Sequence, residues 1–250
     1  KHNFLIGAEN QWDEAYGDGI TSNKQRSQSV FLQNSWQANE RILWINSLRW
    51  DNHALGGSNI TYRSGLNWTM GANRFLLASS SGFKAPSLIQ SANSVFSQEV
   101  EAAKSRSFEA AWSRKVFGKF DFKASWFSNR YVNLIDWTNQ EPGPFWGGGY
   151  KNISRSRSHG VELALAFDAG LDWRFNFQST FLNTLNLDAN TELLRRPGEI
   201  HRIFVDHKLS AKSNLGIEWE YRGITADAGG FLPSCELTHL SYRHAVDQKR

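Results

Sequence analysis

The sequence predicts an all-β chain of about twelve antiparallel strands that run up and down as part of the wall of a transmembrane barrel. Three observations carry that expectation. Apolar residues recur with a period of two. Long and short connections alternate along the chain. The large aromatics fall near strand ends, in a 250-residue chain with 11 Trp and 17 Phe but one Met.

The alternating runs place strands near 3–12, 28–36, 41–51, 59–68, 74–82, 107–116, 120–137, 152–167, 172–187, 200–209, 214–222 and 235–244. In the fourth, Ile60, Tyr62, Leu66 and Trp68 share one face, and Asn59, Thr61, Arg63, Gly65 and Asn67 the other. In the seventh, Phe120, Phe122, Ala124 and Trp126 alternate with Asp121, Lys123 and Ser125. The ninth sets Trp173, Phe175, Phe177 and Phe181 against Asp172, Arg174, Asn176, Gln178 and Thr180. In the eleventh, Leu215, Ile217, Trp219 and Tyr221 alternate with Asn214, Gly216, Glu218, Glu220 and Arg222. Each pattern suits a strand with one apolar and one polar face.

The long connections are 13–27, 83–106, 138–151, 188–199 and 223–234. Short turns stand between them, at Gln37 to Glu40, Phe117 to Lys119, Asp168 to Leu171 and Ser210 to Ser213, with Asn52 to Ser58 of intermediate length. Successive connections of up-and-down strands lie at opposite ends, so one end of the sheet carries the long loops. Outer-membrane barrels have this asymmetry. Trp12, Trp36, Trp44, Trp50, Trp68, Trp137 and Trp173 near strand ends match interfacial girdles, whereas a soluble sandwich would hold them mid-strand. The opposite face carries Arg63, Arg74, Glu109, Lys123, Glu162, Arg174, Glu218 and Glu220, charges that need water or a polar filling.

Composition excludes other classes. No apolar run approaches the length of a membrane helix. A single cysteine, Cys235, rules out a disulfide framework and a Cys-rich zinc site. The net charge of +4 is too small an excess to mark a nucleic-acid binder, and no basic stripe forms around Lys84 and Arg106. The chain carries no HExxH, G-x-S-x-G or Walker A motif, so no enzyme is expected, and no cofactor. Gly147 to Gly149 reads as a loop tip, with no helix behind it to cradle phosphate. His201 and His207 share a face but stand about 20 Å apart at the strand rise, too far to ligate one metal. Glu218 and Glu220 are expected to pair with neighbouring Arg or Lys. Asp13, Glu14 and Asp18 lack the ordered spacing of a calcium loop, so no metal is expected. Asn59, Asn67 and Asn152 open glycosylation triplets that read as chance matches.

Several strings resemble the TonB-dependent outer-membrane receptors, which take up vitamin B12 and siderophores in Gram-negative bacteria. Ser80 to Leu88, with Gly82-Phe83-Lys84-Ala85-Pro86 at its centre, resembles the family's "GFRAPSL" segment, which ends a rising strand and opens an outside loop. Ser107-Phe108-Glu109 is similar to its re-entry strand, and Phe127 to Ile135, with Asn133, to its "FxNxxxxLI" strand. Tyr150-Lys151-Asn152-Ile153 followed by Gly160-Val161-Glu162 resembles its "YxNxxxxxxxGxE" strand. Arg195-Arg196-Pro197 resembles its "RRP" loop end, and Leu232-Pro233-Ser234 also fits, although Cys235 stands where the family usually has an aromatic.

The resemblance spans nearly the whole chain, in order, and looks closest to the B12-receptor branch. It implies a 22-stranded barrel with a plug in its lumen, of which residues 1–250 would be one partial barrel domain, roughly strands nine to twenty. No plug sequence, energy-coupling box or C-terminal aromatic is visible, so a fragment, a split barrel or a non-transporting relative is expected. The implied location is the bacterial outer membrane. The implied partners are outer-membrane lipid, a nutrient such as cobalamin or a ferric siderophore, the TonB energy complex acting through the plug, and other outer-membrane proteins, with no nucleic acid. Aromatic loop residues Tyr16, Phe145, Trp146 and Tyr150 are the candidate ligand contacts. A non-transporting structural barrel or a passive pore subunit is the alternative, and a secreted soluble β domain a third.

Overall fold

The computed structural model describes residues 1–16, 24–94, 99–138, 148–170, 172–227 and 229–246. Twelve strands form one antiparallel sheet, each pairing with its neighbours in chain order. They are β1 (His2–Glu14), β2 (Lys24–Asn39), β3 (Ile42–His53), β4 (Gly57–Met70), β5 (Asn73–Lys84), β6 (Ala103–Val116), β7 (Phe120–Thr138), β8 (Gly149–Gly170), β9 (Trp173–Asn186), β10 (Glu199–Ser210), β11 (Ser213–Arg222) and, after the hairpin of β12 (Thr225–Asp227) and β13 (Gly230–Leu232), β14 (Cys235–His244). A five-residue helix, α1 (Leu88–Ala92), interrupts the β5–β6 loop.

All twelve expected strands are present; most start earlier or end later than the alternation suggested, while β9 is one residue shorter at each end and β14 has the expected bounds. β7 has 19 residues and β8 has 22. A membrane crossing needs only about 9–11 tilted residues. The excess lies toward the long loops, where neighbouring strands pair in water and apolar alternation is no longer required.

Register explains the two faces. Leu66 of β4 stands opposite Leu77 of β5, which stands opposite Ala110, then Trp126, Val161 and Phe181 on β6 to β9. Toward the turns the next such row holds Trp68, Phe75, Trp112, Ala124 and Leu163. The large side chains of this face stay exposed: Phe177 is 41 % exposed and Ile217 41 %. The eight charges assigned to the polar face all fall on the other side by the same alternation. That side is the crowded one, with Ser29, Ser125, Ser156, Ser158, Thr184 and Glu220 all buried. Side chains converge on the face toward which a barrel wall curls.

Two phenylalanines on the polar face have a specific seat. Phe31 is paired with Gly7, and a Cβ on Gly7 would lie 2.2 Å from the Phe31 ring. Phe127 is paired with Gly160, where a Cβ would meet the Phe181 carbonyl oxygen at 2.2 Å and the Phe127 ring at 2.8 Å. Glycine lets each ring lie flat along the wall instead of projecting inward.

The short turns have local causes. Asn39 Oδ1 accepts from Arg41 N and Ile42 N at 2.9 and 3.0 Å, which closes the β2–β3 turn. The β6–β7 turn holds Phe117 at φ 50° and Gly118 at φ 66°, and Lys119 N donates to Val116 O at 3.1 Å. Two successive positive φ values match the twist of a two-residue hairpin. Phe117 is 90 % exposed and takes this conformation at a steric cost that glycine and asparagine avoid.

In the full-length protein, Phe117→Asn should therefore raise the denaturant midpoint, by about 1 kcal/mol of stability, and a lower midpoint would contradict the turn assignment. Gly160→Val should lower it by at least about 1–3 kcal/mol, because a side chain there meets backbone. Heat-modifiable gel mobility reports both.

Candidate functional site: the long-loop rim and the polar face

The long loops are tied down by side chains reaching between strands. The β5–β6 loop opens with Pro86, which is fully buried, and packs Leu88, Val100, Ala102 and Ala103 out of solvent. Ser87 caps α1: its Oγ accepts from Gln90 N at 3.1 Å, and Gln90 Oε1 accepts from Ser87 N at 3.1 Å. The loop then meets the extended pair β7–β8. Tyr150 N donates to Asn93 O at 2.8 Å, and the Tyr150 ring stands edge-on to Trp137 at 5.1 Å.

Asn152 clamps the same loop from the other end. Its Oδ1 accepts from Glu101 N at 2.8 Å, and its Nδ2 donates to Glu101 O at 3.0 Å and to Asn133 O at 2.8 Å. Asn133, at φ 56°, donates its own amide to the Glu101 carboxylate. Asparagine tolerates this left-handed conformation better than other side chains.

The β9–β10 loop has its own ties. Arg155 grips the Asp188 carboxylate through Nε at 3.0 Å and Nη2 at 2.9 Å, while its backbone N donates to the other oxygen at 2.8 Å. Leu193 is buried, and its N donates to Thr184 Oγ1 at 3.2 Å. Arg195 joins this loop to the β12–β13 hairpin through Asp227 Oδ1 at 3.0 Å and Ala226 O at 2.8 Å.

Below the rim the polar face is a network of paired charges. Arg49 bridges Glu9 and Asp51, each at 2.8 Å, and lies over the Phe31 ring at 5.8 Å. Glu220, its side chain 7 % exposed, is held between Arg202 and Arg222. Arg174 pairs with Asp168 at 2.8 Å. Ser125 Oγ donates to Glu162 at 3.4 Å. Both signs recur along the wall, which suits a wet lumen facing a polar filling.

The residues singled out from the sequence fall as follows. Tyr16 is 80 % exposed at the loop end, and its phenol pKa is raised by a hydrogen bond to Glu14. Tyr150 lies in the rim, packed against Trp137 rather than standing free. No described contact brings Tyr16 and Tyr150 together. Phe145, Trp146 and Asp18 lie outside the described residues. Gly82, Phe83, Lys84, Ala85 and Pro86 form the β5 end and loop entry, where a Cβ on Gly82 would meet Ser105 Oγ at 2.5 Å. Glu109 and Glu162 are on the polar face by register, Asn133 is in the clamp, and Gly160 lies under Phe127. Glu220 pairs as the sequence suggested. His201 stacks on Tyr221 and His207 on Trp173, the latter at 3.9 Å between ring centres. Trp137 takes part in the rim contacts through the Tyr150 ring.

The sequence reading missed Arg49, Arg155, Arg195 and Asn152 as structural ties. The Ser-x-x-Gln capping signal at Ser87 was legible in the sequence. The Asn152 clamp had no such signal, since its partners are 51 and 19 residues away.

Comparison with known proteins places this architecture. Residues 2–240 match the family model described as TonB dependent receptor-like, beta-barrel. The fold is shared with the ferric enterobactin receptor PfeA of Pseudomonas aeruginosa at TM-score 0.78 and 14 % identity, covering 99 % of this chain and 44 % of that one. The siderophore receptor PirA of Acinetobacter baumannii gives 0.72 and 14 %, covering 96 % and 46 %. The copper transporter OprC gives 0.78 and 11 %, covering 99 % and 46 %. The chain thus spans less than half the length of these structures.

Asn152→Ala removes three hydrogen bonds at once and should cost the rim about 2 kcal/mol locally. Limited proteolysis between residues 85 and 102 should accelerate by roughly tenfold or more, with barrel gel mobility unchanged. Unchanged proteolysis would remove the clamp from the account.

Proposed function

The chain belongs to the TonB-dependent receptor family of the bacterial outer membrane, and on that premise we propose that it forms part of the wall and outside loops of an active transporter for a scarce nutrient. The nutrient class we favour is cobalamin or a ferric siderophore. The role is non-catalytic: the loops capture the ligand, and a plug outside this chain, driven by the TonB energy complex, lets it pass. The observation that most supports this reading is the pinned rim. A passive pore needs only an open wall, whereas Asn152, Arg155 and Arg195 hold three loop regions in fixed places above a charged lumen. Fixed loops lower the ordering cost of holding a large ligand. Tyr16, Phe145, Trp146 and Tyr150 remain the proposed aromatic contacts.

The test is uptake by cells that express the full-length protein and lack their own receptors. Labelled ferric siderophores and cobalamin should be assayed with and without a working TonB complex. The expected result is accumulation that stops when TonB is removed, and ligand binding weakened roughly tenfold by Trp146→Ala. Uptake of small sugars by liposomes without an energy source, with no TonB-dependent accumulation of either nutrient, would favour the pore subunit instead.

A further inference from the structure

Three arginines stand on the apolar face of the sheet, opposite one another. Arg106 on β6 is paired with Arg130 on β7, and Arg130 with Arg157 on β8. Lys104 and Arg155 occupy the same face one row nearer the long loops, on either side of Val132. The row on the other side is Phe108, Ser128 and His159, followed by Ala110, Trp126 and Val161.

Among the described residues most of the patch has no carboxylate partner. Arg155 is taken by Asp188, but among the described residues no carboxylate pairs with Lys104, Arg106, Arg130 or Arg157. Arg106 and Arg130 are exposed, and the Arg157 Nε is buried without a partner. Adjacent strands lie about 4.8 Å apart, so the three guanidinium stems start within about 10 Å of each other. Like charges directly opposite across strands oppose pairing. Here two such pairs are adjacent, which a bound anion would relieve.

Height along the wall identifies the anion. The apolar face begins at the turn end with Val116, Phe120 and Phe167, which are mutually paired. Each arginine lies ten residues along its strand from that row. Ten residues span about 34 Å along the strand, or about 26 Å along the membrane normal at a tilt near 40°. The apolar band of such barrels is about 25 Å tall. The arginine row therefore lies at its upper edge, on the side of the long loops, facing lipid rather than lumen.

We propose that Arg106, Arg130 and Arg157, with Lys104, form a docking site for the phosphate groups of lipids in the outer leaflet. Guanidinium forks match phosphate oxygens two at a time. The site depends on the orientation of the wall and not on the transport reading, so loss of transport leaves it untouched.

The test uses the full-length protein in detergent, titrated with a diphosphorylated glycolipid of the lipid A type and followed by native mass spectrometry. Against the wild type, Arg106→Gln/Arg130→Gln/Arg157→Gln should bind roughly a hundredfold more weakly, and Arg130→Gln alone roughly fivefold. Arg74→Gln/Lys123→Gln, which removes charge from the polar face, should leave binding unchanged. Added salt should weaken binding, and the dephosphorylated glycolipid should not bind. Equal binding by the triple variant overturns the proposal, as does equal loss in the polar-face variant. Full competition by millimolar inorganic phosphate overturns it too, since the site would then be one for the free ion. If the triple variant does not reach the folded gel form, the single variant decides.

Discussion

Inside a bilayer, no water is available to a free amide or carbonyl, so each strand must find its backbone partners in the strands beside it. The order from β1 to β11 and on to β14 meets that demand for β2 to β11, each of which is paired on both sides. Once the ladder is in register, each side chain's solvent is decided by whether its position is odd or even. Phe177 and Gln178 are adjacent in sequence and face opposite media. The wall therefore has no apolar core. Among the described residues, the buried apolar side chains are Pro86, Leu88, Val100, Ala102, Ala103 and Leu193, all at the long-loop end.

The polar face and the rim then have distinct tasks. On the polar face, Glu220 between two arginines and Arg49 between two carboxylates balance charge locally while leaving exposed groups of both signs. At the rim, Asn152, Arg155 and Arg195 replace the sheet ladder with side-chain ties that fix irregular backbone. The function we infer draws on both, a capturing surface held rigidly above a lumen that accepts a polar filling.

Most of the wall was legible because one rule repeats in it. The strands, the sides of Arg63, Glu109 and Glu218, and the alternating ends of the turns all follow from period two. The rim followed no period. β12 and β13 have three residues each, too short for alternation to register. The turn at Phe117 was visible as a break, but not its left-handed conformation at a bulky residue. The arginine row was invisible for a different reason. Arg106, Arg130 and Arg157 each look like a single exception on an apolar face, and only the register brings them side by side. Of the aromatic contacts proposed for a ligand, Tyr150 stands edge-on to Trp137, a contact that depends on where β7 and β8 end.

Because aliphatic packing occurs only where water is the alternative, the two parts of the molecule answer to different surroundings. Urea reaches the packing around Leu88 and Val100, while bilayer thickness acts on the strands. Damage to the cluster under α1 loosens the β5–β6 loop and spares the wall. Loops can thus be exchanged or lengthened over evolutionary time without renegotiating the scaffold that carries them.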